Sequence, residues 1–278
     1  MLKVLDFQSA PLLDVPINLE SLINLKYLSF RDAEVGEVLP KSIGMLQNLE
    51  TLDVKYTDIH ELPKEISKLR KLRHFIGSSL SLIKLNDGIG DMTSLQTLHS
   101  VDLDMDGVVN VIKELGKMKQ IRQLGLICVR REDLSILSSS INEMQHLEKL
   151  YVSAKYIIDE SFIDLHLISA PTILRKLKLR GRLQKLPVWI PELQNLVGLR
   201  LEYSNLTKDS MQSLKSFQNL VILSIHNHAY EGLCLHIQDE GFPKLKELYV
   251  GISDELRDIV IEKGALLSLK KFQISEIP

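Results

Sequence analysis

An α/β solenoid of short parallel strands, one per repeat, is the fold this sequence predicts, and three observations predict it. Leucine supplies 51 of the 278 residues, and a single Trp with 5% aromatic content leaves the core aliphatic. The pattern L-x-x-L-x-L, with conservative replacements, begins at Leu2, Leu25, Leu49, Leu72, Leu95, Ile121, Leu147, Leu174, Leu196, Leu220, Leu245 and Leu269, so successive starts lie 23, 24, 23, 23, 26, 26, 27, 22, 24, 25 and 24 residues apart. The chain also exceeds the usual size of a compact domain. A solenoid avoids that constraint, because each repeat buries its apolar face only against its neighbours.

A period of roughly 20–29 residues with this consensus marks a leucine-rich repeat. The fold class is therefore an α/β leucine-rich repeat solenoid (horseshoe) with a concave parallel β-sheet, convex short helices, 3₁₀ turns and loops, in about 12 repeats. In Leu49-Glu50-Thr51-Leu52-Asp53-Val54, Leu52 and Val54 lie two apart and share the inward face, while Thr51, Asp53 and Lys55 point outward. After the strand, residues 39–46, 62–69 and 186–193 read L-P-x-x-I-x-x-L. This spacing puts Ile66 and Leu69 on one side of a short helix or 3₁₀ turn. Proline at its start removes no hydrogen bond, since the first amides have no partner there.

Thr57 stands where many repeats carry asparagine and is expected to hydrogen-bond the turn's backbone. Repeats four and five put Gly77 and Ser100 where the third inward apolar residue belongs, and Ser78 to Asn86 lacks the Leu-Pro pair. Repeats five to seven are the longest, so true helices such as Gly107 to Lys119 are expected on their convex sides. Repeat seven also has an irregular stretch, Ser161 to Thr172. No linker divides the chain, so one leucine-rich repeat domain over 1–278 is expected. Leu2, Leu5 and Phe7 open an ordinary repeat at once, and Ser275-Glu276-Ile277-Pro278 follows a strand directly. Solenoids need polar terminal caps, so the chain is expected to be an excerpt of a longer one.

A net charge of -2 and a pI near 6.5 give no case for nucleic acid, whose binders carry a basic excess. No apolar run is long enough for a membrane span, and the first residues lack the plan of a secretory signal. Two cysteines, Cys128 and Cys234, make no paired framework, and one sequon, Asn205-Leu206-Thr207, is within chance. A cytoplasmic setting is expected.

Nothing reads as catalytic machinery, and no cofactor is expected in this chain. A phosphate loop would need G-x-x-x-x-G-K-S/T, and Gly88-Ile89-Gly90 occupies a framework position instead. His226-Asn227-His228 offers two imidazoles without a third ligand nearby, so no metal is expected. Cys128, following a strand, and Cys234 read as buried or half-buried thiols. The chemistry that remains is on the concave face. Lys149, Lys176, Lys178, Arg180 and Arg200 fall on adjacent strands about 4.8 Å apart, edged by Tyr151, Tyr203 and Tyr249 and joined by His226. Arg and Tyr are frequent interface anchors. Neighbouring like charges repel, and an acidic partner, in this protein or another, would relieve them. Reversing Lys176, Lys178 and Arg180 together is expected to weaken a partner contact and leave the fold intact.

Several stretches resemble one family. Leu12-Leu13-Asp14-Val15-Pro16, Pro40-Lys41-Ser42-Ile43-Gly44, Leu62-Pro63-Lys64-Glu65-Ile66, Lys71-Leu72-Arg73-His74, residues 181–190 and Glu262-Lys263-Gly264-Ala265-Leu266 are similar to the repeat region of plant nucleotide-binding, leucine-rich repeat immune receptors. The coiled-coil-bearing branch is the nearer one. The resemblance implies coiled-coil and nucleotide-binding domains upstream, with ATP/ADP switching there. It implies a protein partner, either a pathogen effector or a guarded host protein, and an intramolecular contact that restrains the nucleotide-binding domain. Oligomerisation would proceed through the missing domains, and peripheral attachment to the plasma membrane stays open. The family's phosphate loop and Met-His-Asp motif do not occur here.

Two other kinds of protein compete. An intracellular scaffold, such as a signalling adaptor or the substrate-binding arm of a ubiquitin ligase, has steadier 23-residue spacing or an F-box upstream. An extracellular receptor carries L-x-G-x-I-P repeats, cysteine-capped ends and many sequons. A repeat-bearing bacterial ubiquitin ligase, with its cysteine outside the repeats, finds no support in these residues.

Overall fold

The structure, a computed structural model, describes residues 2–275 apart from 17, 86–87, 156–161, 215–216 and 252–254. Packing divides the chain into two compact units. Unit 1 comprises Met1–Cys128 and Ile136–Leu147, and unit 2 comprises Val129–Ser135 and Glu148–Pro278.

Unit 1 holds strands β1 (Val4–Asp6), β2 (Tyr27–Ser29), β3 (Thr51–Asp53), β4 (His74–Ser81), β5 (Thr97–Asp102) and all but the last residue of β6 (Gln123–Val129). Each pairs in parallel with the next. The L-P-x-x-I turns form 3₁₀ helices at Lys41–Met45 and Lys64–Lys68, each preceded by its proline in an extended conformation. Thr57 behaves as its position predicts: Oγ1 donates to the Val54 carbonyl at 2.7 Å and accepts from the Ile59 amide at 3.3 Å.

Another polar device was not foreseen. In the words Gln-Asn-Leu at 47–49, 194–196 and 218–220, the asparagine amide reaches back one repeat. Asn48 donates to the Ile23 carbonyl at 2.9 Å, Asn195 to Thr172 at 2.8 Å and Asn219 to Gln194 at 2.9 Å. Each satisfies a turn carbonyl that the strand ladder does not reach.

Repeats four and five are less degraded than their sequence suggests. Between Ile76 and Leu80 the β4–β5 register shifts by a bulge, after which Leu80 pairs with Val101. Both are fully buried, so they fill the inward places assigned above to Gly77 and Ser100. The Gly77 position must lack a side chain, because a Cβ there would lie 2.3 Å from a Leu80 methyl. A bulge inserts residues on one strand while re-aiming the next side chain inward.

The helices partly match. α1 (Val108–Gly116) lies within the expected stretch, and α2 (Leu134–Asn142) serves repeat six. In repeat seven, the described residues 162–175 form no helix, and 156–161, with the start of the irregular stretch at Ser161, lie outside the described residues. The third helix, α3 (Lys208–Leu214), stands instead in repeat nine, which is of ordinary length. Cys128 lies within β6 rather than after it.

Unit 2 holds β7 (Lys149–Ala154), β8 (Lys176–Arg180), β9 (Gly198–Glu202), β10 (Ile222–His226), β11 (Cys234–Ile237), β12 (Glu247–Gly251), β13 (Asp258–Ile261) and β14 (Lys271–Ser275). The main sheet runs β7-β8-β9-β10-β12-β14. Two inward rows cross it. Leu150, Leu177, Leu199, Leu223 and Leu248 form one, and Val152, Leu179, Leu201, Ile225 and Val250 the other; none is more than 2% exposed. Each such side chain contributes about 1.5–3 kcal/mol by leaving water, and this aliphatic ladder fixes which side chains face out. On β14 the same rows hold Phe272 and Ile274, both exposed. The sole tryptophan, Trp189, is buried and donates its indole N–H to the Leu165 carbonyl at 2.8 Å.

A second, two-stranded parallel sheet of β11 and β13 adds strands away from the main ladder. It was not anticipated, although Leu235 and Ile237 alternate with Cys234 and His236 at a strand's period of two. His236 Nε2 lies 2.7 Å from Glu262 Oε1 just beyond it.

Candidate partner-binding surface

All nine residues singled out by the sequence fall in unit 2, on the side of the sheet opposite the inward rows. The pairing register places them in three outward rows. The first runs Lys149, Lys176, Gly198, Ile222, Glu247; the second Tyr151, Lys178, Arg200, Ser224, Tyr249; the third Ser153, Arg180, Glu202, His226, Gly251. Tyr203 follows β9 directly.

The centre of this surface is an acid that the sequence reading left out of the site. Glu202 is buried, with 5% of its side chain exposed, and three cations converge on it: Lys178 Nζ at 3.1 Å from Oε1, Arg200 Nε at 2.5 Å from Oε1 and Arg180 Nε at 3.3 Å from Oε2. Burial pulls the Glu202 carboxyl upward, but the Lys178 hydrogen bond and the Lys178 and Arg200 charges outweigh it. The net shift is below the usual carboxylate range. The repulsion inferred among the basic residues is thus answered partly within the sheet itself. One carboxylate against three cations leaves an excess of positive charge.

Lys149 and Lys176 differ from the others. They are register neighbours, and among the described residues neither ammonium has a carboxylate partner. The triple reversal expected to spare the fold therefore mixes two kinds of residue, because Lys178 and Arg180 both hold Glu202. Reversing them puts new carboxylates against a buried one, which costs stability. Lys149 and Lys176 are the positions that test the surface without testing the fold.

The tyrosines divide in the same way. Lys178 Nζ lies 4.7 Å from the Tyr151 ring centroid and Arg180 Cζ 5.2 Å from that of Tyr203, so these two rings flank the Glu202 cluster. Tyr249 does not join it, because Ser224 stands between Arg200 and Tyr249 in their row. Its ring faces His226 at 6.4 Å and Lys271 at 4.9 Å, and its hydroxyl donates to Glu247 at 2.6 Å. Burial, helped by the Arg200 charge and opposed by Glu202, lowers the His226 pKa. His228 faces the Tyr203 ring at 6.1 Å. Among the described residues no group of three or more His, Cys, Asp or Glu is arranged to hold a metal ion, and no helix is long and apolar enough to cross a membrane.

One backbone turn recurs at the strand ends of both units. Seven residues after the repeat start, φ is positive at Ser9, Asp32, Tyr56, Cys128, Tyr203 and Asn227, between 53° and 61°, and at Gly181 it is 148°. The chain leaves the strand there by a left-handed residue. Asn and Asp accept this region readily, whereas bulky side chains do so at a cost.

A family described as leucine-rich repeat region matches residues 1–277. Relatives from Arabidopsis thaliana include the disease resistance protein RPM1, 34% identical over 59% of this chain and 17% of its own length. The probable disease resistance protein RXW24L is 26% identical over 100% of this chain and 31% of its own, and the disease resistance protein RPP8 is 27% identical over 99% and 30%. The chain thus spans less than a third of the length of these relatives. Among solved structures, the Arabidopsis receptor kinase HAESA in complex with the peptide hormone IDA and the co-receptor SERK1 aligns with a TM-score of 0.65 at 17% identity, over 94% of this chain and 46% of that one. An internalin of Listeria monocytogenes aligns with a TM-score of 0.55 at 15% identity, over 99% and 87%. At such identities the likeness shows the fold alone.

Proposed function

The chain belongs to the leucine-rich repeat family, and from that premise we propose that it is the recognition and restraint module of an intracellular plant immune receptor. Its disease-resistance relatives support the setting. The observation that carries the reading is the outward face of unit 2, where three cations flanked by two tyrosines share one buried carboxylate, and Lys149 and Lys176 stand in the neighbouring row without one. Arg and Tyr are enriched where proteins meet, and the unanswered positive charge of the lysines suits an acidic partner. In this reading the partner presents acidic side chains to Lys149, Lys176 and the open side of Arg200, and is either a pathogen effector, a guarded host protein or the receptor's own nucleotide-binding domain. ATP/ADP exchange belongs to that other domain, and the setting is cytoplasmic. Binding regulates the receptor only by favouring one of its states over the other.

The double variant Lys149→Glu/Lys176→Glu, placed in the complete receptor and expressed in leaf tissue, tests this. Loss of the triggered cell death is expected if the surface meets the sensed protein, and cell death without a trigger if it meets the restraining domain. Normal response and normal restraint together would contradict the proposal. In the 278-residue chain the same variant is expected to shift stability by no more than about 0.5 kcal/mol, as exposed substitutions usually do.

A further inference from the structure

Unit 1 contains a counterpart of the Arg180–Tyr203 pair. Arg31 and Arg180 each stand six residues after their repeat starts, and Tyr56 and Tyr203 each seven residues after theirs, one repeat later. Arg31 Cζ lies 5.9 Å from the Tyr56 ring centroid, as Arg180 Cζ lies 5.2 Å from that of Tyr203. Each arginine is held by a buried carboxylate: Arg31 donates from Nε and Nη2 to Asp53 Oδ2 at 2.9 and 2.6 Å, and Arg180 pairs with Glu202. Both tyrosines sit at the left-handed position, φ 61° and 57°, where other repeats with positive φ place Ser, Asp, Asn, Cys or Gly.

Neither the fold nor the core asks for tyrosine at position 56. Its side chain is 61% exposed, and its backbone turn would be less strained with Asn. An aromatic kept in a costly conformation at the surface points to a contact. Charges of both signs surround it. Lys55 Nζ is 4.6 Å from the ring centroid and has no carboxylate partner among the described residues. Tyr56 also forms part of the wall of an open groove of about 790 Å³ whose lining includes Pro11, Leu13, Asp32, Glu34 and Asp58. Asp32 accepts from Ser9 Oγ at 3.0 Å, and among the described residues Glu34 and Asp58 have no cationic partner.

We propose that Arg31, Lys55 and Tyr56, with the neighbouring groove, form a second protein-docking point that takes a mixed-charge segment of a partner. An acidic side chain of that segment meets Lys55 and the Nη1 side of Arg31. A basic side chain one or two residues away enters the groove toward Glu34 and Asp58, and the aliphatic part of the segment lies between Tyr56 and Leu13. An all-acidic ligand meets repulsion from the groove, and an all-basic one from Lys55 and Arg31.

The test is an NMR titration of the whole 278-residue chain with its tyrosine rings labelled. The probes are three short glycine-spaced peptides, alternating Glu and Lys, Glu alone, and Lys alone. The mixed peptide is expected to shift the Tyr56 ring saturably. Lys55→Glu and Tyr56→Asn are each expected to weaken that binding about tenfold or more, while Tyr56→Asn unfolds no earlier than the parent. Absence of any shift at Tyr56, equal binding of the Glu-only or Lys-only peptide there, survival of binding in Tyr56→Asn, or a lower melting temperature for that variant would each overturn the proposal. The Lys149→Glu/Lys176→Glu chain retains the Tyr56 response, so failure of the unit 2 surface and failure of this docking point read separately.

Discussion

Glu202→Gln is expected to destabilise unit 2 by about 2–3 kcal/mol at pH 7, although the substitution changes almost nothing in volume. Removing one member of a buried ion pair costs about 3–5 kcal/mol. The partly exposed Lys178, Arg180 and Arg200 side chains keep some access to solvent, which lowers the figure. What remains is three cations around a neutral amide. The pH dependence identifies the cause. The Glu202 pKa is lowered on folding, so its contribution is present in full above the unfolded carboxylate value near 4.5 and is lost as pH falls through the folded value below that. Chemical denaturation of parent and variant at pH 7 and at pH 3 checks this. Two parallel curves, offset equally at both pH values, would show that Glu202 acts through packing rather than charge.

Gly181→Val is expected to cost about 2–6 kcal/mol, combining about 1–3 for a backbone region reserved for glycine and about 1–3 for overpacking. Gly181 has φ 148°, and a Cβ there would lie 2.8 Å from Ala154 Cβ and 3.1 Å from an Ile163 methyl. Its amide donates to the Glu202 carbonyl at 2.9 Å, tying the turn after β8 to the end of β9. The same variant is therefore expected to loosen Arg180 from Glu202. Thermal unfolding measures the first effect and the Tyr203 ring resonance the second. A variant as stable as the parent would mean that the turn can adopt the other repeats' left-handed geometry without clash.

The strands and their facing were legible because they follow from local arithmetic. Leu177 and Leu179, or Leu199 and Leu201, point inward by the period of two, and the eight outward residues on strands then share a face; Tyr203, which has the parity of Leu201, meets Arg180 only after the left-handed turn that ends β9. The bulge that brings Leu80 inward in place of Gly77 was not legible, because it depends on how β4 meets β5 rather than on β4 alone. Repeat length does not mark α3, because the Lys208–Leu214 segment forms a helix within a repeat of ordinary length. By its spacing Glu202 is one outward residue among many. Its importance arises only when the register sets it beside Arg180 and the side chains of Lys178 and Arg200 turn toward it. Tyr249 shows the reverse error: it shares the face but not the cluster, since a serine intervenes across strands. Sequence spacing gives the face of each residue, and cross-strand register gives its neighbours.

Zero-length carbodiimide cross-linking of the 278-residue chain to a glycine-spaced, Glu-only peptide, read by mass spectrometry, tests the unit 2 surface most directly. The reagent joins an ammonium only to a carboxylate in contact with it. Lys149 and Lys176, which lack a carboxylate of their own among the described residues, are expected to carry most of the peptide, and Lys178 to carry little because Glu202 occupies it. Cross-links spread evenly over exposed lysines such as Lys41, Lys64 and Lys113, with no excess at Lys149 and Lys176, would contradict the account.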